Sequence, residues 1–121
     1  MAKKILIVDD EEFIVELFET ALSTKGYDVY TALNAKDALK ILERVEIKVI
    51  FLDINMPEMN GLELCKEIRR RDKDAQIIAV TGSSMDYDKE RYYQAGFNSF
   101  YSKPIALGEL YKAAKKAFNL I

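Results

Sequence analysis

The sequence predicts an α/β fold: a doubly wound parallel sheet of five strands with helices on both faces. Three observations carry this. Five short runs rich in β-branched residues alternate strictly with segments of helical period, and parallel strands require such crossovers. The third run, Val49-Ile50-Phe51-Leu52, has no polar residue, as a strand covered on both faces should. Four of the five runs stop at or just before a residue able to do polar chemistry.

The elements follow in order. Lys4-Ile-Leu-Ile-Val8 is too short and too β-branched for a helix and reads as the first strand. From Asp10 the period changes, and Ile14, Leu17, Phe18, Ala21 and Leu22 fall on one face of an amphipathic helix, with Gly26 after its end. Tyr27 to Thr31 alternates as a second strand. Asn34 can cap a helix whose inner face carries Ala35, Ala38, Leu39 and Leu42. After the third strand, Pro57 and Gly61 bracket a loop, and Leu64, Cys65 and Ile68 mark a third helix. Gln76 to Thr81 is the fourth strand. A short, weakly amphipathic helix over Asp88 to Ala95 follows, and 97–102 contains the fifth strand. Leu107, Leu110, Tyr111, Ala114, Ala117 and Phe118 line a closing helix. Of the two common doubly wound orders, five units suit the flavodoxin-like arrangement 2-1-3-4-5. With no linker, repeat or low-complexity stretch, residues 1–121 are expected to form a single domain with no output domain attached.

Composition narrows the chemistry. Half of the 121 residues are hydrophobic and the net charge is only -2, which excludes a disordered chain. No run approaches the roughly 20 apolar residues of a membrane span, and no secretory leader is visible, so a soluble, cytoplasmic protein with no membrane partner is expected. There is no histidine and one cysteine, Cys65. That removes disulfide frameworks, Cys-rich zinc sites and histidine acid–base catalysis. No basic stripe stands out, which argues against direct contact with nucleic acid.

The polar residues at the strand ends are the informative ones. The first strand ends in Asp9-Asp10, the third in Asp53, the fourth in Thr81, and the fifth just before Lys103. In the proposed order these strands are neighbours, so the four ends converge on one crevice at the topological switch point. Two carboxylates about 4 Å apart repel by ~4 kcal/mol at an effective dielectric of ~20, so such a cluster calls for a cation. Mg²⁺ suits it, because that ion binds through one or two carboxylates and completes its shell with water or phosphate oxygen. Lys103 offers a compact charge for gripping a phosphoryl oxygen or for pairing with Asp53 at rest. Thr81 offers a hydroxyl, and Gly82 leaves the space beside it open. A carboxylate there can act as nucleophile in phosphoryl transfer, which depends mainly on positioning and charge neutralisation. Taken singly, each residue has a plainer reading: Asp9-Asp10 as a helix cap, Asp53 as a turn residue, Thr81 as a strand-end hydroxyl, Lys103 as a surface lysine. Their convergence favours the chemical one.

These residues resemble the receiver domains of two-component response regulators, particularly the single-domain, chemotaxis-type members. The motifs are Ile5-Leu-Ile-Val-Asp-Asp-Glu11, Phe51-Leu-Asp-Ile-Asn-Met-Pro57 followed by Asn60-Gly61, Val80-Thr81-Gly82, and Ser102-Lys103-Pro104. The resemblance implies that Asp53 is the phospho-acceptor and Asp10 a direct Mg²⁺ ligand. It implies that Asp9 helps through water or at the edge of the shell, and that Asn55 contributes its backbone carbonyl. Thr81 and Lys103 would bind phosphoryl oxygens, and Lys103-Pro104 would be cis. Phe100 falls at the position of a switch aromatic whose rotation, as Thr81 moves, remodels the face of the fourth helix, fifth strand and fifth helix; it also reads as an ordinary core aromatic. Tyr101 should point to the opposite side of the strand. The implied function is a phosphorylation-dependent signalling switch that catalyses only its own phosphorylation and dephosphorylation. Its partners would be a sensor histidine kinase or phosphotransfer protein, which supplies the phosphohistidine this chain lacks, and an unidentified downstream protein.

Two alternatives stand beside it. One is a phosphorylation-independent interaction module of the same fold. The other is an aspartyl-phosphate phosphatase, although Asn55 stands where that chemistry wants a second acid. A flavodoxin-like electron carrier is disfavoured, since Asp9-Asp10-Glu11-Glu12 would repel a flavin phosphate. Elsewhere, Cys65 reads as a buried inert thiol, Tyr87, Tyr92 and Tyr93 as a partner surface, and Arg69-Arg70-Arg71 as a solvated helix end. Asn55 and Ser83 could tune water access to an acyl phosphate.

Overall fold

A computed structural model describes residues 2–82 and 89–121. The strands are β1 (Lys4–Val8), β2 (Asp28–Ala32), β3 (Val49–Leu52), β4 (Gln76–Thr81) and β5 (Ser99–Ser102). The helices are α1 (Glu12–Ser23), α2 (Ala35–Arg44), α3 (Gly61–Arg71), α4 (Lys89–Ala95) and α5 (Leu107–Asn119). All strand pairs are parallel and the sheet order is 2-1-3-4-5, as expected from the alternation. The register sets Val8 beside Leu52 and Leu52 beside Ala79, so the ends of β1 and β3 are level and the longer β4 runs on to Thr81. Among the described residues no helix is long and apolar enough to cross a membrane.

Alternation along the strands divides the core into two layers. Leu6, Val8, Ile50, Leu52, Ile77 and Ala79 face α2, α3 and α4. Ile5, Ile7, Val49, Phe51, Ile78 and Val80 face α1 and α5. The wholly apolar β3 is buried along its whole length, between β1 and β4. Phe100 packs on the first layer and Tyr101 on the second, so the two neighbours do point to opposite sides. Asn34 caps α2 by accepting from the Asp37 N–H at 2.8 Å, and Asn60 caps α3 by accepting from Glu63 at 3.0 Å.

Several expectations need correcting. The first helix begins at Glu12 rather than Asp10, because the Asp9 carboxylate accepts the Glu11 N–H at 3.0 Å and holds the chain in a turn before the helix. Leu17 and Leu107 face outward; Val15 and Ala113 take the inner positions. Tyr92 is core, not surface, since its ring lies against Phe97 and Phe100, while Tyr93 is exposed. Tyr87, Ser83 and the expected helix start at Asp88 lie outside the described residues.

The largest correction concerns Arg69. Consecutive helical residues are about 100° apart around the axis, so three arginines in a row are spread over roughly 200° and leave the helix in different directions. Arg69 turns inward. Its Nε donates to the Gly96 carbonyl at 2.9 Å, and its Nη1 to the carbonyls of Ala75 at 2.6 Å and Lys73 at 3.1 Å. Its Nη2 donates to Asn98 Oδ1, which also accepts the Ile77 N–H at 2.8 Å. The guanidinium thereby ties the end of α3 to the turn between α4 and β5.

Candidate functional site

The C-terminal ends of β1, β3, β4 and β5 bring the expected residues into one crevice. Carboxylate oxygens of Asp9, Asp10 and Asp53 all lie within 4.8 Å of one another. Asp9 and Asp53 are almost wholly buried, Thr81 is fully so, and Asp10 is exposed. Each position follows from the sheet. Asp53 N–H donates to Val8 O at 2.9 Å and Asp9 N–H to Ala32 O at 3.2 Å, which extends the ladder one residue beyond the strands. Lys103 N–H donates to Thr81 O at 2.9 Å, fixing the lysine beside the end of β4. The peptide Lys103–Pro104 is cis, as the resemblance implied.

Lys103 enters the crevice from the far side. Its Nζ lies 2.7 Å from Asp9 Oδ2, 3.4 Å from Glu11 Oε1 and 3.6 Å from Asp53 Oδ2. The expected pairing with Asp53 is therefore the longest of the three, and Asp9 is the principal partner. Asp53 Oδ1 accepts the Asn55 N–H at 3.3 Å, and the Asn55 side-chain amide donates to Thr81 Oγ1 at 3.3 Å. Asn55 thus links acceptor loop and hydroxyl, a contact that strand-end reasoning missed. Phe100 stands away from the carboxylates, its ring 4.6 Å from Tyr93 and 5.4 Å from Tyr92.

The electrostatics follow from this crowding. Burial first, and the neighbouring Asp9 charge second, push the Asp53 carboxyl up from 3.8 to about 6. Burial also raises Asp9, against the lowering effect of its bond to Lys103. Lys103 shows the opposite balance: burial disfavours its charge, but hydrogen bonding to Asp9 and the nearby Asp53 and Glu11 carboxylates hold it above the usual lysine range. Asp9, Asp10, Asp53 and Glu11 against one lysine, among the described residues, leave a net negative crevice. The donors are all oxygen, with no imidazole or thiolate, and fit a small hard divalent cation that keeps part of its water shell.

Behind the site, α3 abuts the acceptor. Gly61 N–H donates to Ile54 O at 2.8 Å, and a Cβ on Gly61 would lie 2.4 Å from the Asp53 carbonyl oxygen. The sequence motif Asn60-Gly61 is thus a cap and a close backbone approach in consecutive positions. Cys65, on the same helix, is fully buried, and burial pushes its thiol up to about 12.

Fold and crevice together place the chain among the doubly wound α/β proteins that carry an acidic site at the sheet's switch point. It belongs to the response regulator receiver domain family, whose model matches residues 5–115, and so to the receivers of two-component signalling. It is similar to the alkaline phosphatase synthesis transcriptional regulatory protein PhoP of Bacillus subtilis (strain 168), at 37% identity over 110 residues. That match covers 91% of this chain and 46% of PhoP, so the chain spans about half the length of this relative. Among solved structures, the CheY-like response regulator receiver domain protein of Methanospirillum hungatei JF-1 superposes with a TM-score of 0.93 at 28% identity, covering 98% of this chain and 95% of that one. The Vibrio cholerae chemotaxis protein CheY4 gives 0.92 at 28% identity, covering 97% and 99%.

Proposed function

We propose that this chain is a phosphorylation-dependent switch in which Asp53 accepts a phosphoryl group from a phosphohistidine on a partner kinase or phosphotransfer protein. The observation that carries it is the convergence of Asp9, Asp10 and Asp53 within 4.8 Å, with Lys103 against them and Thr81 buried at the neighbouring strand end. The chain has no histidine, so the donor is supplied in trans. One Asp53 oxygen attacks phosphorus, the P–N bond to the donor imidazole breaks, and the leaving imidazole takes up the displaced electron pair.

Asp10 and Asp53, with Asp9 and the Asn55 backbone carbonyl, would hold Mg²⁺, which when bound neutralises phosphoryl and carboxylate charge. The chain's own groups do the rest. Lys103, shared at rest among Asp9, Glu11 and Asp53, turns to a phosphoryl oxygen once the acceptor carries the acyl phosphate. The Thr81 hydroxyl donates to another oxygen, while Asn55 stays within reach of it. Thr81 and Phe100 lie on the paired strands β4 and β5, so movement of the hydroxyl toward the phosphoryl group is passed to the aromatic contacts of Phe100 with α4. The α4–β5–α5 face is the output surface. The phosphoryl group favours one of two arrangements by its differential contacts with them.

Incubation with acetyl phosphate and Mg²⁺, followed by intact-mass measurement, tests this. One added phosphoryl group in the wild type, absent in Asp53→Asn and abolished by EDTA, is expected. No gain under trapping conditions would sink the switch and leave an interaction module of the same fold. A gain that persists in Asp53→Asn would move the acceptor elsewhere.

A further inference from the structure

We propose that Arg69 pins the C-terminal end of α4 and makes it a fixed pivot. Occupation of Asp53 is then felt at Tyr93 and Phe100, while the backbone of Gly96, Phe97 and Asn98 stays in place. The inference rests on the phosphoryl-switch reading and concerns how that switch is transmitted.

Backbone hydrogen bonds join the Tyr92 and Tyr93 carbonyls to the Gly96 and Phe97 N–H groups, and the β4–β5 ladder sets Phe100 beside Ala79. Beyond these, two kinds of side-chain contact hold the described part of the α4–β5 region. Tyr92, Tyr93, Phe97 and Phe100 meet through their rings at centroid distances of 4.6 to 6.3 Å. The hydrophobic part of such contact is non-directional, and the geometric preference of a ring pair is weak beside a set of charge-assisted hydrogen bonds, so rings can re-pack at small cost. Tyr93 is 58% exposed and has room to do so. The turn that ends α4 is held differently. A planar guanidinium with fixed donor directions bonds Gly96 O on one side and Asn98 Oδ1 on another, while its third arm grips the carbonyls of Lys73 and Ala75. Asn98 is in turn tied to β4 through both its side chain and its backbone N–H, which donates to Ile77 O at 2.8 Å. Three directional anchors on one rigid fork resist both rotation and translation.

Gly96 shows how close the fit is. Its φ is +117°, and a Cβ there would lie 2.5 Å from Arg69 Cγ, so the arginine stem occupies the space a side chain would need. At its other end α3 seats Gly61 against the Asp53 backbone. One helix therefore abuts the acceptor with its first residue and grips the α4–β5 turn two residues before its end, which gives the movable face a fixed reference tied to the site.

The test uses the full ¹⁵N-labelled chain with Mg²⁺ and beryllofluoride as the probe, read by amide shifts. In wild type the Tyr93 and Phe100 amides should move, and those of Gly96, Phe97 and Asn98 should move by no more than roughly a third as much. In Arg69→Ala the response should spread into 96–98, with phosphoryl uptake from acetyl phosphate retained. Asn98→Ala removes one anchor, and with it the acceptor of the Ile77 N–H, and should show the same spread. Asn98→Asp keeps the oxygen acceptor for Arg69 and Ile77 and should restore the wild-type pattern, a rescue that a general loss of stability would not give. An even response across 93–100 in wild type, or an unchanged pattern in both Arg69→Ala and Asn98→Ala, overturns the pivot while leaving the switch intact. A wild type that gains no phosphoryl mass and responds nowhere overturns both.

Discussion

Lys103 donates to Asp9 at 2.7 Å but stands 3.6 Å from Asp53, so at rest the lysine is lodged on the acid beside the acceptor rather than on the acceptor itself. Removing it would leave two buried carboxylates facing each other with no buried cation between them. Lys103→Ala is therefore expected to lose about 1–3 kcal/mol of stability without metal, since an uncompensated buried charge costs several kcal/mol before water and neighbours relax. Added Mg²⁺ should recover much of the loss, and urea denaturation with and without Mg²⁺ measures both. An equal loss with and without the metal would show that Lys103 acts through packing alone.

Asp53 gives a pH dependence with a definite sign. Its folded value of about 6 lies above the ordinary 3.8, so between those values the folded protein holds a proton that the unfolded chain has released. Metal-free stability should therefore fall as pH rises from about 4 to about 6, the unfavourable contribution being fully present above that window. Asp53→Asn should remove Asp53's share of this slope, leaving that of the buried Asp9, and be more stable than metal-free wild type at neutral pH by roughly 1–3 kcal/mol, since each tenfold change in proton affinity is worth about 1.4 kcal/mol. Metal competes with the same proton, so Mg²⁺ affinity should drop about tenfold for each pH unit below about 6. A Mg²⁺ affinity unchanged on acidification through that range would mean that Asp53 is not a ligand.

The strand order and the convergence of Asp9, Asp10, Asp53, Thr81 and Lys103 were legible because both depend on chain order and on where apolar runs stop. A parallel sheet turns those two one-dimensional facts into one place. The arrangement of Lys103 was not legible, because whether an ammonium on a flexible stem settles on Asp9 or on Asp53 turns on differences of about 1 Å. Leu17 and Leu107 were misplaced because helix rotation cannot be fixed from periodicity when apolar residues occupy more than one stripe, as Phe13 and Leu17 do beside Val15 and Phe18. Arg69 was lost in a run of arginines that charge alone assigns to water. Gly96 and Asn98 carried the available signal, a glycine at a turn and a polar residue just before a strand, where each meets a close neighbour.

Cys65 should be chemically silent in the native state. It is fully buried and burial holds the thiol at about 12, so at neutral pH almost no thiolate is present to react. Labelling by a maleimide should proceed only through unfolding, rising with urea in step with the loss of helical circular dichroism. Rapid labelling of native protein would show that α3 opens locally, which would also weaken the case for that helix as a fixed reference.

Gly61 is the position where a single methyl group should separate fold from chemistry. A Cβ there would meet the Asp53 carbonyl oxygen at 2.4 Å and Ile54 Cα at 2.6 Å, and both obstacles are backbone, which cannot swing aside as a side chain would. Relief requires α3 to slide away from β3, and the Gly61-to-Ile54 hydrogen bond at 2.8 Å would be strained or lost with it. Gly61→Ala should therefore cost about 2–4 kcal/mol, in the range of other overpacked or strained backbone positions. The displacement falls on the backbone of Asp53 itself, so phosphoryl uptake should fall by more than tenfold even in the fraction that folds, since displacement of about 1 Å in a reacting group can cost about a hundredfold. Gly82→Ala is the matched control: it lies next to Thr81, yet among the described residues a Cβ there meets nothing within 4 Å. Urea denaturation and acetyl phosphate labelling of the two variants should diverge sharply. Comparable behaviour would mean that α3 is not seated against the acceptor as its backbone contacts indicate.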